Sequence, residues 1–170
     1  MNINIFGSTG IIGSKTLNVI NKFFPNLEIN LLCANNNVNK LIQQCKLYTP
    51  KYVYLNNAKK ISTLKNNINP KINILNFDSL KSYLKASKSD LTLLAISGYN
   101  SLIYYDLIIN NTNSLGLVSK ETIVSAGHLI KQYKKNKKFK IYPLDSEHFS
   151  IFQYLKNSNL LNLKKIFLTA

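Results

Sequence analysis

The chain has 170 residues, 45% of them hydrophobic, which is enough for one domain with a buried core or for one domain and the start of another. No apolar run is long enough to span a membrane, and a predicted strand at residue 2 leaves no room for a signal or transit peptide, so we expect a cytoplasmic protein without membrane contact. The net charge of +15 comes from lysines alone, without any Arg to read guanine edges or clamp phosphates. Since the chain is also rich in residues with AT-rich codons, we attribute much of this charge to base composition and expect no nucleic-acid partner.

Short apolar runs alternate with helical stretches along most of the sequence. This alternation predicts an α/β fold with a Rossmann-like, mostly parallel sheet and helices on both faces. The predicted strands are residues 2–6, 28–34, 52–55, 72–75, 91–96, 115–118 and 139–142.

Three helices are indicated by apolar spacing between these strands. The first is capped by Asn37, and the third runs into the lysine cluster 131–138, which we interpret as a solvated helix end. The segment 56–71 shows less periodicity, and we interpret it as a ragged surface helix with loops. The apolar positions are Val38, Leu41, Ile42 and Cys45 in the first helix, Leu102, Ile103, Tyr105 and Ile109 in the second, and Leu129, Ile130 and Tyr133 in the third. We interpret Cys33 and Cys45 as buried small hydrophobes rather than a disulfide or a metal pair.

A glycine-rich turn, GSTGIIG, follows the first strand and precedes a helix. In such a turn Gly7 allows a tight bend, Gly10 lets the backbone approach a pyrophosphate, and Gly13 lets the helix pack closely on the strand. The free N–H groups of the helix then face the anion. The order strand, glycines, helix favours a nucleotide-binding turn over a plain connection.

The second predicted strand ends in CANNN, without an acidic residue. NAD-binding proteins usually carry Asp or Glu there to hold the ribose hydroxyls, and a carboxylate would repel the 2′-phosphate of NADP. We therefore expect a preference for NADPH. Because the nearest basic residue along the chain is Lys40, we expect that preference to be small.

Two carboxylates, Asp145 and Glu147, follow the last predicted strand in YPLDSEHFSIFQ. They could hold Mg²⁺ or Mn²⁺, or they could cap a helix, with Asp145 or Ser146 as the N-cap and Glu147 in the first turn. Spacing alone favours capping. Lys120 and Glu121, in LVSKETIV, follow another strand at the same edge of the sheet.

The segments GSTGIIG, LVSKETIVSAG and PLDSEHFSIFQ resemble, in order and spacing, the amino-terminal half of 1-deoxy-D-xylulose 5-phosphate reductoisomerase. The resemblance implies that a small phosphorylated sugar is isomerised and then reduced by NADPH to 2-C-methyl-D-erythritol 4-phosphate, a step in the synthesis of isoprenoid precursors. It also implies that the reaction needs a divalent metal, Mg²⁺ or Mn²⁺, and that the complete protein is a homodimer. It also implies an NADPH-binding domain over residues 1–143 and the start of a catalytic domain over 144–170.

The resemblance further implies roles for single residues, and it favours the metal interpretation of Asp145 and Glu147. Lys120 and Ser146 match substrate-contacting residues of the catalytic centre. The implied cofactor contacts are Gly7, Ser8, Thr9, Gly10, Ile11, Ile12, Gly13, Asn35, Asn36, Asn37, Ser119 and Glu121.

The chain departs from the family in three places. Asn35 and Asn36 stand where the family usually has Gly and often Lys or Ser, and Ser119 replaces an Asn. The chain stops at IFLTA, where the family continues into a Ser-Gly-Gly segment, and the remaining metal ligand, the lid and the phosphate-holding residues lie beyond. We therefore expect these 170 residues to need that missing carboxyl-terminal part for activity. The alternatives are another NADP-dependent oxidoreductase, an inactive remnant, or a basic nucleic-acid-binding domain. Of the first kind, a semialdehyde dehydrogenase would need a catalytic Cys.

Overall fold

The computed structural model describes residues 1–136, 140–156 and 163–167, and within them it forms one parallel sheet with helices on both faces. Each predicted strand overlaps an observed one, and residue 139 lies outside the described residues. The strands are β1 (Asn2–Phe6), β2 (Glu28–Ala34), β3 (Tyr52–Leu55), β4 (Asn73–Leu75), β5 (Ser89–Leu94), β6 (Thr112–Leu117) and β7 (Lys140–Pro143).

Helices connect the strands, as parallel pairing requires. The helices are α1 (Ile11–Phe23), α2 (Val38–Tyr48), α3 (Ile61–Asn67), α4 (Phe77–Ala86), α5 (Leu102–Asn110), α6 (Lys120–Asn136) and α7 (Ser146–Lys156), with short 3₁₀ turns at Ala58–Lys60 and Tyr99–Ser101. The irregular segment 56–71 thus holds one 3₁₀ turn and the short α3. Of the lysine cluster, residues 137 and 138 lie outside the described residues.

The strand order is β4-β3-β2-β1-β5-β6-β7, and every neighbouring pair is parallel. The chain winds outward from β1 to β4 and then returns to the other side of β1 with β5. The carboxyl ends of β1, β2 and β5 therefore surround the point where the winding reverses, which is where open α/β sheets bind their ligands.

Two apolar cores lie on opposite faces of the sheet. Helices α1 to α3 bury Leu17, Leu41 and Leu64 against one face, and α4 to α6 bury Leu80, Tyr105 and other side chains against the other. These cores confirm the predicted α/β fold with helices on both faces. No helix in the described ranges is both long enough and apolar enough to cross a membrane.

The helix with the clearest periodicity, α2, forms as predicted. Its four apolar positions are buried, and the Asn37 side chain accepts a hydrogen bond from the Lys40 N–H at 3.1 Å. Cys33 and Cys45 are buried and unpaired with each other, one in each core.

Candidate cofactor and metal site

The glycine-rich turn bends sharply between the ends of β2 and β5. Gly7 has φ of +79°, and a Cβ there would overlap the Ala95 carbonyl oxygen. The N–H groups of Gly7 and Ser8 both donate to the Cys33 carbonyl, at 2.9 and 3.0 Å. A side chain at residue 7 would thus be strained both by its backbone angle and by its neighbour.

The start of α1 packs against this turn. A Cβ at Gly13 would overlap the Gly7 carbonyl oxygen and lie 2.7 Å from Ser8 Cα, so only glycine allows this approach. The first helical hydrogen bond runs from the Ser14 N–H to the Gly10 carbonyl at 3.0 Å. The N–H groups of residues 11–13 therefore have no helix carbonyl to bond, which makes this helix start an anion-binding position.

The side chains of the turn divide between the groove and the interior. Thr9 and Gly10 line a groove of about 900 Å³ at the carboxyl edge of the sheet. Ile11 begins α1 with 75% of its surface exposed. Ser8 is fully buried, and its carbonyl accepts from Gln44 Nε2 at 2.8 Å, so Ser8 holds the turn in place rather than presenting its side chain to the groove.

Four asparagines, which we call the asparagine cluster (Asn35, Asn36, Asn56 and Asn57), join the ends of β2 and β3. Asn56 donates to the Asn35 amide oxygen at 2.9 Å, and Asn57 donates to the Asn36 amide oxygen at 2.6 Å. The Lys60 ammonium donates to the Asn36 carbonyl at 3.1 Å. Lys40 is the nearest basic residue to Asn35 and Asn36 along the sequence, as stated above, but the fold also brings Lys60 into contact with Asn36.

Aromatic side chains that were not predicted from the sequence form one wall of the groove. The Tyr54, Phe77 and Tyr104 rings lie with their centroids 6.3 to 6.4 Å apart. Burial raises the pKa values of the Tyr54 and Tyr104 hydroxyls, which keeps both rings neutral. The sequence did contain one indication of this wall. Tyr54 lies near the carboxyl end of a predicted strand, and residues at that end lie at the ligand-binding edge of the sheet.

The start of α6 carries Ser119 and Glu121 near the same edge. Ser119 Oγ donates to Glu121 Oε2 at 2.8 Å and accepts from the Thr122 N–H at 3.3 Å. The pKa of Glu121 is lowered, first by its own backbone N–H and then by the Ser119 hydroxyl. Glu121 therefore stays ionised beside the loop that follows β5.

Asp145 both caps α7 and keeps one oxygen without a partner. Its Oδ1 accepts from the His148 N–H at 3.0 Å, which is the predicted capping contact. Its Oδ2 is buried and has no hydrogen-bond partner among the described residues. A buried carboxylate oxygen without a donor is suited to a hard cation such as Mg²⁺ or Mn²⁺, so capping and metal binding are compatible here.

Glu147 is engaged by two donors. Lys120 Nζ lies 2.7 Å from Glu147 Oε1, and Ser146 Oγ donates to Glu147 Oε2 at 2.6 Å. These contacts lower the pKa of Glu147 to about 2, with Lys120 the largest cause. The described residues contain no group of three or more His, Cys, Asp or Glu side chains that could hold a metal ion, so a cation here would need further ligands.

The two cysteines do not suit nucleophilic chemistry. Burial raises the pKa of the Cys33 thiol well above its ordinary value and that of Cys45 to about 12. Because the thiolate is the nucleophile, the alternative that requires a catalytic Cys loses its support.

Comparisons with known proteins agree with this geometry. The profile of the 1-deoxy-D-xylulose 5-phosphate reductoisomerase family matches residues 3–127. The reductoisomerase of Pelagibacter ubique is 42% identical over 173 residues, covering 99% of this chain and 44% of that protein. The Thermoanaerobacter pseudethanolicus protein is 34% identical over 166 residues, covering 98% and 44%.

Two solved structures are also similar. The Zymomonas mobilis reductoisomerase in complex with NADPH has a TM-score of 0.80 at 28% identity, covering 89% of this chain and 40% of that one. A reductoisomerase in complex with NADPH, fosmidomycin and magnesium has a TM-score of 0.80 at 25% identity, covering 90% and 38%. The chain thus spans less than half the length of these relatives.

Proposed function

The chain belongs to the 1-deoxy-D-xylulose 5-phosphate reductoisomerase family, and on that premise we propose that it binds NADPH in the groove between the carboxyl ends of β1, β2 and β5. The observation that supports this proposal most directly is the glycine turn. Gly10 lines the groove, and α1 begins with the N–H groups of residues 11–13, for which the helix offers no carbonyl acceptor. These groups suit the negatively charged pyrophosphate of a dinucleotide. The NADPH-containing structure with a TM-score of 0.80 supports this proposal.

We propose that residues 1–143 form the NADPH-binding domain and that residues 144–170 begin the catalytic domain. Strand β7 ends at Pro143 and is the last strand of the described sheet. Helix α7 buries no residue within the described chain and exposes Phe149 and Tyr154. An apolar surface of this kind suits packing against a further part of the protein.

For the complete protein, we propose the family's isomerisation and reduction of 1-deoxy-D-xylulose 5-phosphate. When bound, NADPH supplies the hydride, and Mg²⁺ or Mn²⁺ polarises the substrate carbonyl. Asp145 and Glu147 would hold the cation, while Lys120 and Ser146 would contact the substrate. The contacts of Lys120 and Ser146 with Glu147 support this proposal, because they bring the proposed substrate contacts next to a proposed metal ligand.

A cofactor titration tests the first step of this proposal. The 170-residue chain is titrated with NADPH while the fluorescence of the reduced nicotinamide is followed. We expect saturable binding with one site per chain. A folded chain that gives no saturable signal with NADPH or with NADH would contradict the proposed function.

A further inference from the structure

Lys60 brings a positive charge to the end of β2. It belongs to the 3₁₀ turn Ala58–Lys60 that follows β3, and its Nζ donates to the Asn36 carbonyl at 3.1 Å. Lys60 is half-buried, whereas its neighbour Lys59 is exposed. The turn therefore directs one of its two lysines inward, onto the strand end where the sequence places no acid.

The surroundings of Lys60 suit an anion. The asparagine cluster beside it carries only neutral amides, and within the described part of the chain no carboxylate forms an ion pair with Lys60. A lysine ammonium has three N–H donors, and the Asn36 carbonyl engages one. Two donors can therefore reach a phosphate without displacing the contact that fixes the side chain.

The groove reaches the segment that carries Lys60. Ala58 and Ile61, on either side of the lysine pair in sequence, both line it, as do Asn35 and Asn56 of the asparagine cluster. In dinucleotide-binding folds the adenosine ribose lies at the end of the second strand, where an Arg commonly accommodates a 2′-phosphate. This chain contains no Arg, so a lysine must supply any such charge.

We propose that Lys60 is the specificity-determining residue that contacts the 2′-phosphate of NADPH and so selects NADPH over NADH. The inference rests on the proposed function, because it names a contact within the same cofactor groove. It replaces the expectation of a small preference, which assumed Lys40 as the nearest cation.

The test compares Lys60→Met with Lys59→Met, which removes the same charge from the exposed neighbour in the same turn, and with Lys40→Met on α2. Each 170-residue variant is titrated with NADPH and with NADH. NADPH is also displaced by 2′,5′-ADP and by 5′-AMP, which differ only in the 2′-phosphate. Circular dichroism establishes that each variant is folded. A further variant, Lys60→Arg, keeps the positive charge at this position but carries it on a guanidinium group.

We expect Lys60→Met to weaken binding of NADPH and of 2′,5′-ADP about tenfold, as for loss of one charged hydrogen bond, and to leave NADH and 5′-AMP unchanged. Lys59→Met and Lys40→Met should retain the wild-type ratio, and Lys60→Arg should retain the preference for NADPH. An unchanged ratio in Lys60→Met, or an equal loss in Lys59→Met or Lys40→Met, overturns the assignment of Lys60 but leaves NADPH binding intact. If the folded wild-type chain binds neither cofactor, both the assignment and the proposed function are overturned.

Discussion

Lys120 Nζ lies 2.7 Å from Glu147 Oε1, which links the first residue of α6 to the first turn of α7. Both helices begin at the carboxyl edge of the sheet, after β6 and β7. The two side chains are about half exposed, so the pair contributes little to stability. The effect of the pair is local. It keeps the Glu147 carboxylate, a proposed metal ligand, ionised, and it holds the Lys120 ammonium, a proposed substrate contact, beside it.

Removing Lys120 should raise the pKa of Glu147. In the folded chain this pKa is lowered from 4.5 to about 2, and Lys120 is the largest cause, so Lys120→Met should move it back towards 4.5. A lowered folded-state pKa means that the pair's contribution to stability is present above about 4.5 and is lost as the pH falls through about 2. Side-chain carboxyl NMR during a pH titration measures the shift.

The Lys51–Glu28 pair supplies a matched control for that titration. Lys51 Nζ lies 3.0 Å from Glu28 Oε2 and lowers the Glu28 pKa in the same way. Lys51→Met should raise the pKa of Glu28 and leave Glu147 unchanged. A Glu147 pKa that does not respond to Lys120→Met would contradict the ion pair.

Gly10→Val should abolish binding of both NADPH and NADH while the chain stays folded. Gly10 has the extended angles φ −72° and ψ 176°, which valine adopts readily. A Cβ there would lie 3.2 Å from the Gly7 carbonyl oxygen, so the turn must shift slightly, and the valine side chain would project where the pyrophosphate approaches. Because both cofactors share the pyrophosphate, both should be lost, in contrast to the selective loss expected for Lys60→Met. Fluorescence titration measures both affinities, and wild-type affinity in a folded Gly10→Val chain would refute the role of the turn.

Gly13→Ala should lower folding stability, because the new methyl group would meet the backbone of Gly7 and Ser8 rather than a movable side chain. We expect a loss of about 1–3 kcal/mol, the usual cost of overpacking. Gly127→Ala in α6 is the control, since a Cβ there has nothing within 4 Å, and it should stabilise the chain by up to about 1 kcal/mol. Urea unfolding of the two variants should therefore give changes of opposite sign, and equal stabilities would show that Gly13 is not sterically required.

The fold was predictable because its signals are local. Each strand contains a short run of apolar residues, and α2 shows both its cap at Asn37 and its buried face in the sequence. Gly7, Gly10 and Gly13 likewise occur in the order that the turn requires, so the position of the groove followed from residues 2–13.

The residues that the sequence analysis missed come together only through the fold. Lys60 reaches Asn36 from 24 positions further along the chain, and sequence spacing carries no sign of that approach. Tyr54 and Tyr104 come from β3 and α5 and meet at the groove wall. For Asp145, spacing posed capping and metal binding as alternatives, and only the separate environments of its two oxygens make them compatible.

Asp145→Asn should weaken divalent-cation binding by the complete enzyme without unfolding it. Asparagine is as good an N-cap as aspartate, so the contact to the His148 N–H is retained. The buried Oδ2, however, would be replaced either by an uncharged amide oxygen or by an NH₂ group, which cannot bind a cation. Titration with Mn²⁺, followed by electron paramagnetic resonance, should show weaker binding while the NADPH affinity is unchanged.

Asp78→Asn is the control for that experiment. Asp78 lies on α4 with 91% of its side chain exposed and pairs with Lys81. The substitution therefore removes one negative charge at a position away from the proposed metal ligands. Equal losses of Mn²⁺ binding in the two variants would indicate a general charge effect and contradict a specific role for Asp145.

The 170-residue chain alone should bind NADPH but should not turn over 1-deoxy-D-xylulose 5-phosphate. Asp145 and Glu147 offer only two carboxylates, and Mg²⁺ gains little from so few protein oxygens because it dehydrates reluctantly. The chain spans 44% of the Pelagibacter ubique relative. The family resemblance places the phosphate-holding residues and the lid beyond these residues, and without them we expect nothing to exclude water or to hold the reacting carbons. The assay follows NADPH oxidation with substrate and Mn²⁺.

Adding a carboxyl-terminal part like that of the Pelagibacter ubique relative, on the same chain or as a separate chain, should produce turnover. Within that complete enzyme, Asp145→Ala or Glu147→Ala should suppress turnover and spare NADPH binding, because the cation would lose a ligand while the glycine turn is unchanged. Asp78→Ala should leave turnover near the wild-type rate, since its side chain faces solvent on α4. Robust NADPH oxidation by the 170 residues alone would show that the active site is completed within this chain, and that the two carboxylates suffice where we expect them to fail.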